Sequence, residues 1–189
     1  MFAAYIGPSI RWAIDRGLLL RVVETRPIPL EPARLAATEK YSAQVRLSTD
    51  RSGIENYVAG LPFPMVEASD PDAAVKMMYN YENRISADDL DIRNFECDTG
   101  SLDKTRPLLV ERNFLLGHFR RLYYVGRLYH EPIPTWETIE GIRYREMLHP
   151  IIESFDLKGV GLTYNRYIDS TRHDDSWLYF PMLKRVRRL

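Results

Sequence analysis

The spacing of apolar residues changes near position 88: helical intervals give way to strand-like alternation. Ser9 followed by Ile10, Ala13 and Ile14 predicts a short amphipathic helix, with Ser9 as N-cap and Gly17 just past its end. Residues 18–25, rich in Leu and Val, predict a strand. Pro27 and Pro29 predict an extended linker, because each proline fixes φ and biases its predecessor towards extended geometry. Pro32 suits the first turn of a second helix over about residues 31–41. Residues 43–48 and 54–59 flank Thr49-Asp50-Arg51-Ser52-Gly53, a turn-forming cluster, and so predict a hairpin. Gly60-Leu61-Pro62-Phe63-Pro64 must be irregular, since two prolines cannot sit in a central ladder. Ser69-Asp70-Pro71-Asp72 opens a helix near residues 71–84, in which Ala74, Met77, Met78 and Tyr81 share one face.

Beyond residue 88 the strand candidates are residues 88–97, 108–114, 119–129, 157–168 and 177–189. The polar separator from Asp169 to Asp175 makes the last two an antiparallel hairpin. Pro132, Pro134 and Pro150 interrupt residues 131–152, where a short helix over 136–142 is possible. The reading is an α+β domain: residues 1–42 form a helical N-terminal part, and residues 43–189 form a mostly antiparallel, Tyr-rich sheet with a helix near 71–84. Alternation that stops mid-stride at Arg188 and Leu189 suggests a fragment of a domain; a complete domain with a basic C-terminal arm is the alternative.

Composition narrows the function classes. The 189 residues carry 26 basic and 26 acidic side chains, and this neutral balance removes the whole-chain electrostatic case for nucleic acid. Twelve Tyr, seven Phe and three Trp are the unusual feature; Tyr joins an apolar body to a polar tip, which suits half-wet sheets and ligand grooves. A single cysteine, Cys97, excludes an internal disulfide. Residues 1–5 lack a basic n-region and do not read as a secretory signal, and no run of apolar residues is long enough for a membrane span.

Few residues suggest catalysis. Gly159-Val160-Gly161 lacks the third glycine and following helix of a dinucleotide site and instead suggests a bulge or bend. His118, His130, His149 and His173 are dispersed, and neighbours such as His130-Glu131 alternate faces in a strand, so no metal site is expected. Cys97 reads as a half-buried strand residue. Asp88, Asp89, Asp91, Asp98 and Asp103 form an acidic run suited to a cap or a solvated edge. Lys184, Arg185, Arg187 and Arg188 suit either an anion-binding arm or a charged strand edge. Arg120, Arg121 and Arg127, interleaved with Tyr123, Tyr124 and Tyr129, would suit base stacking, but no RNP-like motif accompanies them. A hydrolase built on His173, Asp174 and Asp175 is a distant alternative.

Several strings together resemble one bacterial envelope family. They are Ala37-Thr38-Glu39-Lys40-Tyr41-Ser42, Tyr57-Val58-Ala59-Gly60-Leu61-Pro62-Phe63-Pro64, the run from Arg120 to Tyr129, and Phe155-Asp156-Leu157-Lys158-Gly159-Val160-Gly161. Asp174-Asp175-Ser176-Trp177-Leu178-Tyr179-Phe180-Pro181, leading into Lys184-Arg185-Val186-Arg187-Arg188-Leu189, completes the set. The chain resembles, from about Ile10 onward, a domain-of-unknown-function family labelled outer-membrane lipoprotein-sorting-like and related to LolA, LolB and LppX. The resemblance implies an incomplete half-barrel: a strongly curved antiparallel sheet with a few helices on its concave face. It also implies a non-enzymatic carrier of lipid, lipoprotein acyl chains or other hydrophobic cargo, at the periplasm or outer-membrane periphery. Relatives occur beside resistance-nodulation-type exporters, so an adaptor domain of an exporter complex is the alternative. The family offers no catalytic residues and no cofactor. Burying an acyl chain contributes ~0.8 kcal/mol per CH₂ without any catalytic group. The expected groove lining is Met77, Met78, Tyr81, Phe114, Tyr124, Leu128, Leu162, Tyr164 and Trp177. The Gly60–Pro64 segment is expected to be a rigid corner or the rim of the cavity mouth.

Overall fold

Helix, hairpin and sheet follow one another along the chain in the computed structural model. It describes residues 6–24, 26, 28–84, 87–101, 109–138, 140–154 and 156–189. Residues 1–5 and Thr25, Pro27, Asp103, Leu108 and Phe155, named above, lie outside the described residues.

The N-terminal part holds helices α1 (Pro8–Ile14) and α2 (Pro32–Tyr41), a two-stranded hairpin of β1 (Arg46–Leu47) and β2 (Ile54–Glu55), and helix α3 (Ala73–Glu82). Proline occupies the first turn of α1 and of α2, where a missing N–H costs nothing. Glu31 caps α2, its carboxylate accepting the backbone N–H of Ala33 and of Arg34. The hairpin forms where the turn cluster predicts it, but each strand has only two residues. The strand expected over residues 18–25 does not form among the described residues: residues 18–24 are irregular and pair with no strand, and Leu19, Leu20, Val22 and Val23 stand exposed.

The C-terminal part is one antiparallel sheet of β3 (Asp89–Ser101), β4 (Leu109–Tyr123), β5 (Ile142–Leu148), β6 (Ile151–Glu153), β7 (Gly161–Tyr167), β8 (Asp175–Phe180) and β9 (Arg185–Arg188). The strand order is β3-β4-β5-β7-β8-β9, with β6 added on β4. The sheet is open and does not close into a barrel, so β3 and β9 are its edges.

Three sequence expectations are corrected here. The two strands expected over 108–114 and 119–129 are one strand, which runs through Gly117 and ends at Tyr123. A side chain at Gly117 would press on Pro150 and Ile152, so glycine lets β6 lie against β4 without breaking it. The possible helix over 136–142 does not form among the described residues, and β5 begins at Ile142 instead. The strand expected over 177–189 is a hairpin, folded at Pro181 and at Lys184, whose φ is 48°.

Two apolar clusters stabilise the sheet. Leu116, Ile151 and Val160, with Leu148, Leu178 and Phe180 beside them, form one. Tyr124, Ile142 and Tyr167 form the other. The helices contribute no described residue to either apolar cluster of the sheet. They reach it through polar bridges: the Tyr129 hydroxyl donates to Glu31 at 2.8 Å, and Arg143 donates to Glu82 at 2.7 Å and to Asn83 Oδ1 at 2.8 Å. The Gly60–Pro64 segment is a rigid corner. The Leu61 N–H donates to Thr38 Oγ1 on α2, and the Asn80 amide on α3 pairs with both backbone groups of Phe63.

Candidate functional site

Directly opposite residues in adjacent strands share a face, so register assigns the chemistry of each side. One row runs Asp91, Arg120, Met147, Thr163, Trp177, Arg188 from β3 to β9. The parallel row Gly161, Tyr179, Val186 lies on the same face, as does Leu122, Arg145, Asn165, Asp175. The opposite face carries Leu90, Arg121, Glu146, Tyr164, Ser176 and the neighbouring Tyr123, Tyr144, Arg166.

On the first face Met147, Thr163, Trp177, Tyr179 and Val186 line an open groove of about 240 Å³, and Leu162, opposite Leu148 and Leu178 on the other face, borders it from within β7. Its floor depends on Gly161: a Cβ there would stand 2.5 Å from the His149 ring, so glycine leaves the space that this ring occupies. The groove's surface is almost wholly apolar. At its margins the charges are mostly paired. Asp91 meets Arg93, His118 and Arg120, and Asp175 meets Arg172 and Arg188. Hydrogen bonds from the Tyr167 hydroxyl and from Arg188 hold the Asp175 carboxyl below the ordinary carboxylate range.

The opposite face is a network of tyrosines and ion pairs rather than a groove. Arg121 Nε donates to Glu146 at 2.6 Å, and its guanidinium lies over the rings of Phe119, Tyr123 and Tyr144 at 5.6, 5.9 and 5.2 Å. Burial raises the Tyr144 and Tyr164 hydroxyls above their ordinary value, so both stay protonated through the physiological range. Three of the twelve tyrosines, Tyr123, Tyr144 and Tyr164, meet here in a half-wet network.

A larger cavity of about 710 Å³ lies between the β1–β2 turn, the end of α3 and the β7–β8 turn. Its arginines are internally satisfied: Arg143 by Glu82 and Asn83, Arg166 by Asp174, and Arg172 by stacking 3.3 Å over Tyr167. Burial pushes the Tyr57 hydroxyl in its wall up to about 12. Its volume suits a small molecule, but its charges already have partners. Asp174, put forward as an acid/base group, is committed to Arg166, and Asp175 to Tyr167 and Arg188. Among the described residues no group of three or more His, Cys, Asp or Glu side chains could hold a metal.

The nine expected lining residues fall in several places. Trp177 lines the groove and Leu162 borders it. Tyr164 belongs to the tyrosine network on the other face, Tyr124 is buried in one apolar cluster and Phe114 packs against the other. Leu128 sits in a turn where its N–H donates to Asp88. Met77, Met78 and Tyr81 are 62%, 65% and 76% exposed on the outer side of α3 and join none of the cavities described above. Met147, Tyr179, Val186 and Gly161 are the groove residues that sequence reasoning missed. Their signal was the alternation of β5 and β8, which becomes a site only once the register places them side by side.

A model of the family described as protein of unknown function (DUF1329) matches residues 12–189. It agrees with the domain-of-unknown-function family expected from the motif set. No curated protein and no solved structure matches the chain.

Proposed function

We propose that this chain, which belongs to the DUF1329 family, is a non-enzymatic carrier whose sheet binds an acyl chain or similar hydrophobic cargo. The observation that carries this reading is the apolar groove of Met147, Trp177, Tyr179 and Val186 on an open sheet face. Burying about eight methylenes there contributes roughly 6 kcal/mol, the scale of a complex between micromolar and millimolar. No group needs to be activated for such binding. The kinship with LolA, LolB and LppX, and with it a curved half-barrel at the periplasmic or outer-membrane periphery, belongs to the same proposal.

The test is displacement of a fluorescent fatty-acid probe, read in the intact chain and in a Val186→Asp variant. The carrier reading expects saturable binding that the edge substitution weakens at least about tenfold. Absence of saturable binding in the intact chain overturns it.

One observation favours a second reading, an adaptor domain of an envelope exporter complex. Leu19, Val22 and Val23 stand exposed on a segment that pairs with no strand among the described residues, which leaves it free for strand addition. Co-purification of a resistance-nodulation-type exporter that is lost with Leu19→Ser and Val23→Ser supports it; an unchanged yield contradicts it.

A further inference from the structure

We infer that the cargo is an anionic amphiphile, a single acyl chain ending in a carboxylate or phosphate, and that Arg145 receives its head. The inference rests on the carrier reading above and adds the chemistry of the ligand's polar end. Arg145 lies on β5 two residues from Met147, on the groove's face and about 7 Å along the strand. Its side chain is exposed, and among the described residues no carboxylate lies within ion-pair range of it.

Its orientation is nonetheless fixed. Arg145 Nε donates to Asn165 Oδ1 at 2.8 Å, and Asn165 is buried in the neighbouring strand. That bond uses Nε and leaves both Nη groups without a hydrogen-bond partner among the described residues. A planar fork held in this way suits bidentate binding of carboxylate or phosphate oxygens.

The neighbouring cations differ. Arg120, next to Met147 in its row, and Arg188, next to Trp177, already face Asp91 and Asp175. Arg185 and Arg187 have no carboxylate partner among the described residues, but alternation turns them to the face opposite Val186. An anion at Arg145 therefore has its chain directed along Met147 towards Trp177 and Val186. An uncharged cargo would leave the fork hydrated.

The test compares hexadecanoate, hexadecyl phosphate and hexadecanol, each below its micelle concentration, by displacement of the same probe from the full chain. The expected result is that at least one anion binds about tenfold or more tightly than the alcohol. Arg145→Gln should remove that preference while leaving hexadecanol affinity unchanged, Arg145→Lys should keep part of it, and Arg187→Gln should change nothing. The anion that gains more from Arg145 identifies the head group. Equal binding of anions and alcohol, or equal losses in Arg145→Gln and Arg187→Gln, overturns the inference and leaves the carrier reading intact. Binding of none of the three overturns the carrier reading itself.

Discussion

Asp88 closes a turn from the inside. Its carboxylate is 1% exposed and accepts the N–H groups of Leu128, Tyr129 and His130 at 2.8, 2.8 and 2.7 Å. Beside it the buried Arg127 donates to Asp89 and to the carbonyls of Tyr123 and Pro132. Asp88→Ala strands three donors at about 1 kcal/mol or more each, so a loss of about 3 kcal/mol or more is expected in denaturant unfolding. Gly60 is constrained in another way. Its φ is +82°, and a Cβ would lie 2.5 Å from the Thr38 backbone nitrogen, which cannot swing aside. Gly60→Ala should therefore cost more than about 1 kcal/mol. The exposed Asp50 makes a pH prediction. The Ser48 hydroxyl, then the Ser52 N–H and hydroxyl, hold its carboxyl at about 2, below the ordinary 3.8. A depressed native value stabilises the turn above 3.8, and that contribution fades as pH falls towards about 2. The Ser52 amide resonance should titrate with a midpoint near 2, and a midpoint near 4 would contradict the assigned bonds. Gly60 was legible as part of an irregular corner. Asp88 was not, because no local spacing links it to amides forty residues further along the chain.

Periodicity reveals which face an element has, but not what that face meets. The stripe of Ala74, Met77, Met78 and Tyr81 on α3 is real, yet it points outward. The inner side of α3 is fixed by Asn80 on Phe63 and by the Arg143 bridge to Glu82 and Asn83. Polar pairing across sixty residues outweighs the apolar pattern here. The segment 18–24 shows the same limit: its composition favours a strand, but a strand needs a partner, and none pairs with it among the described residues. Its amides from Leu19 to Glu24 should exchange with solvent far faster than those of β5 and β7, as hydrogen exchange would show. Protection there equal to that of β7 would contradict the arrangement. The β8–β9 hairpin was hidden because Pro181-Met182-Leu183-Lys184 contains no glycine, and Lys184 itself takes the left-handed conformation.

At the scale of the whole chain, the class was legible because strand alternation dominates after residue 88, and the sheet is indeed antiparallel. Of the nine expected lining residues, Leu162 and Trp177 border the proposed groove. A groove between strands is a property of register, and the rows that bring Met147, Tyr179 and Val186 beside Trp177 span residues 147–186. The neutral total charge also hides a local feature, an arginine without a carboxylate partner beside the groove. The central claim is that cargo lies in this groove and not elsewhere. Photocrosslinking with a diazirine-bearing fatty acid, followed by peptide mass spectrometry, tests it most directly. Adducts are predicted on peptides holding Met147, Trp177, Tyr179 and Val186. Adducts confined to Met77, Met78 and Tyr81 on α3, or to the cavity around Tyr57, would contradict it.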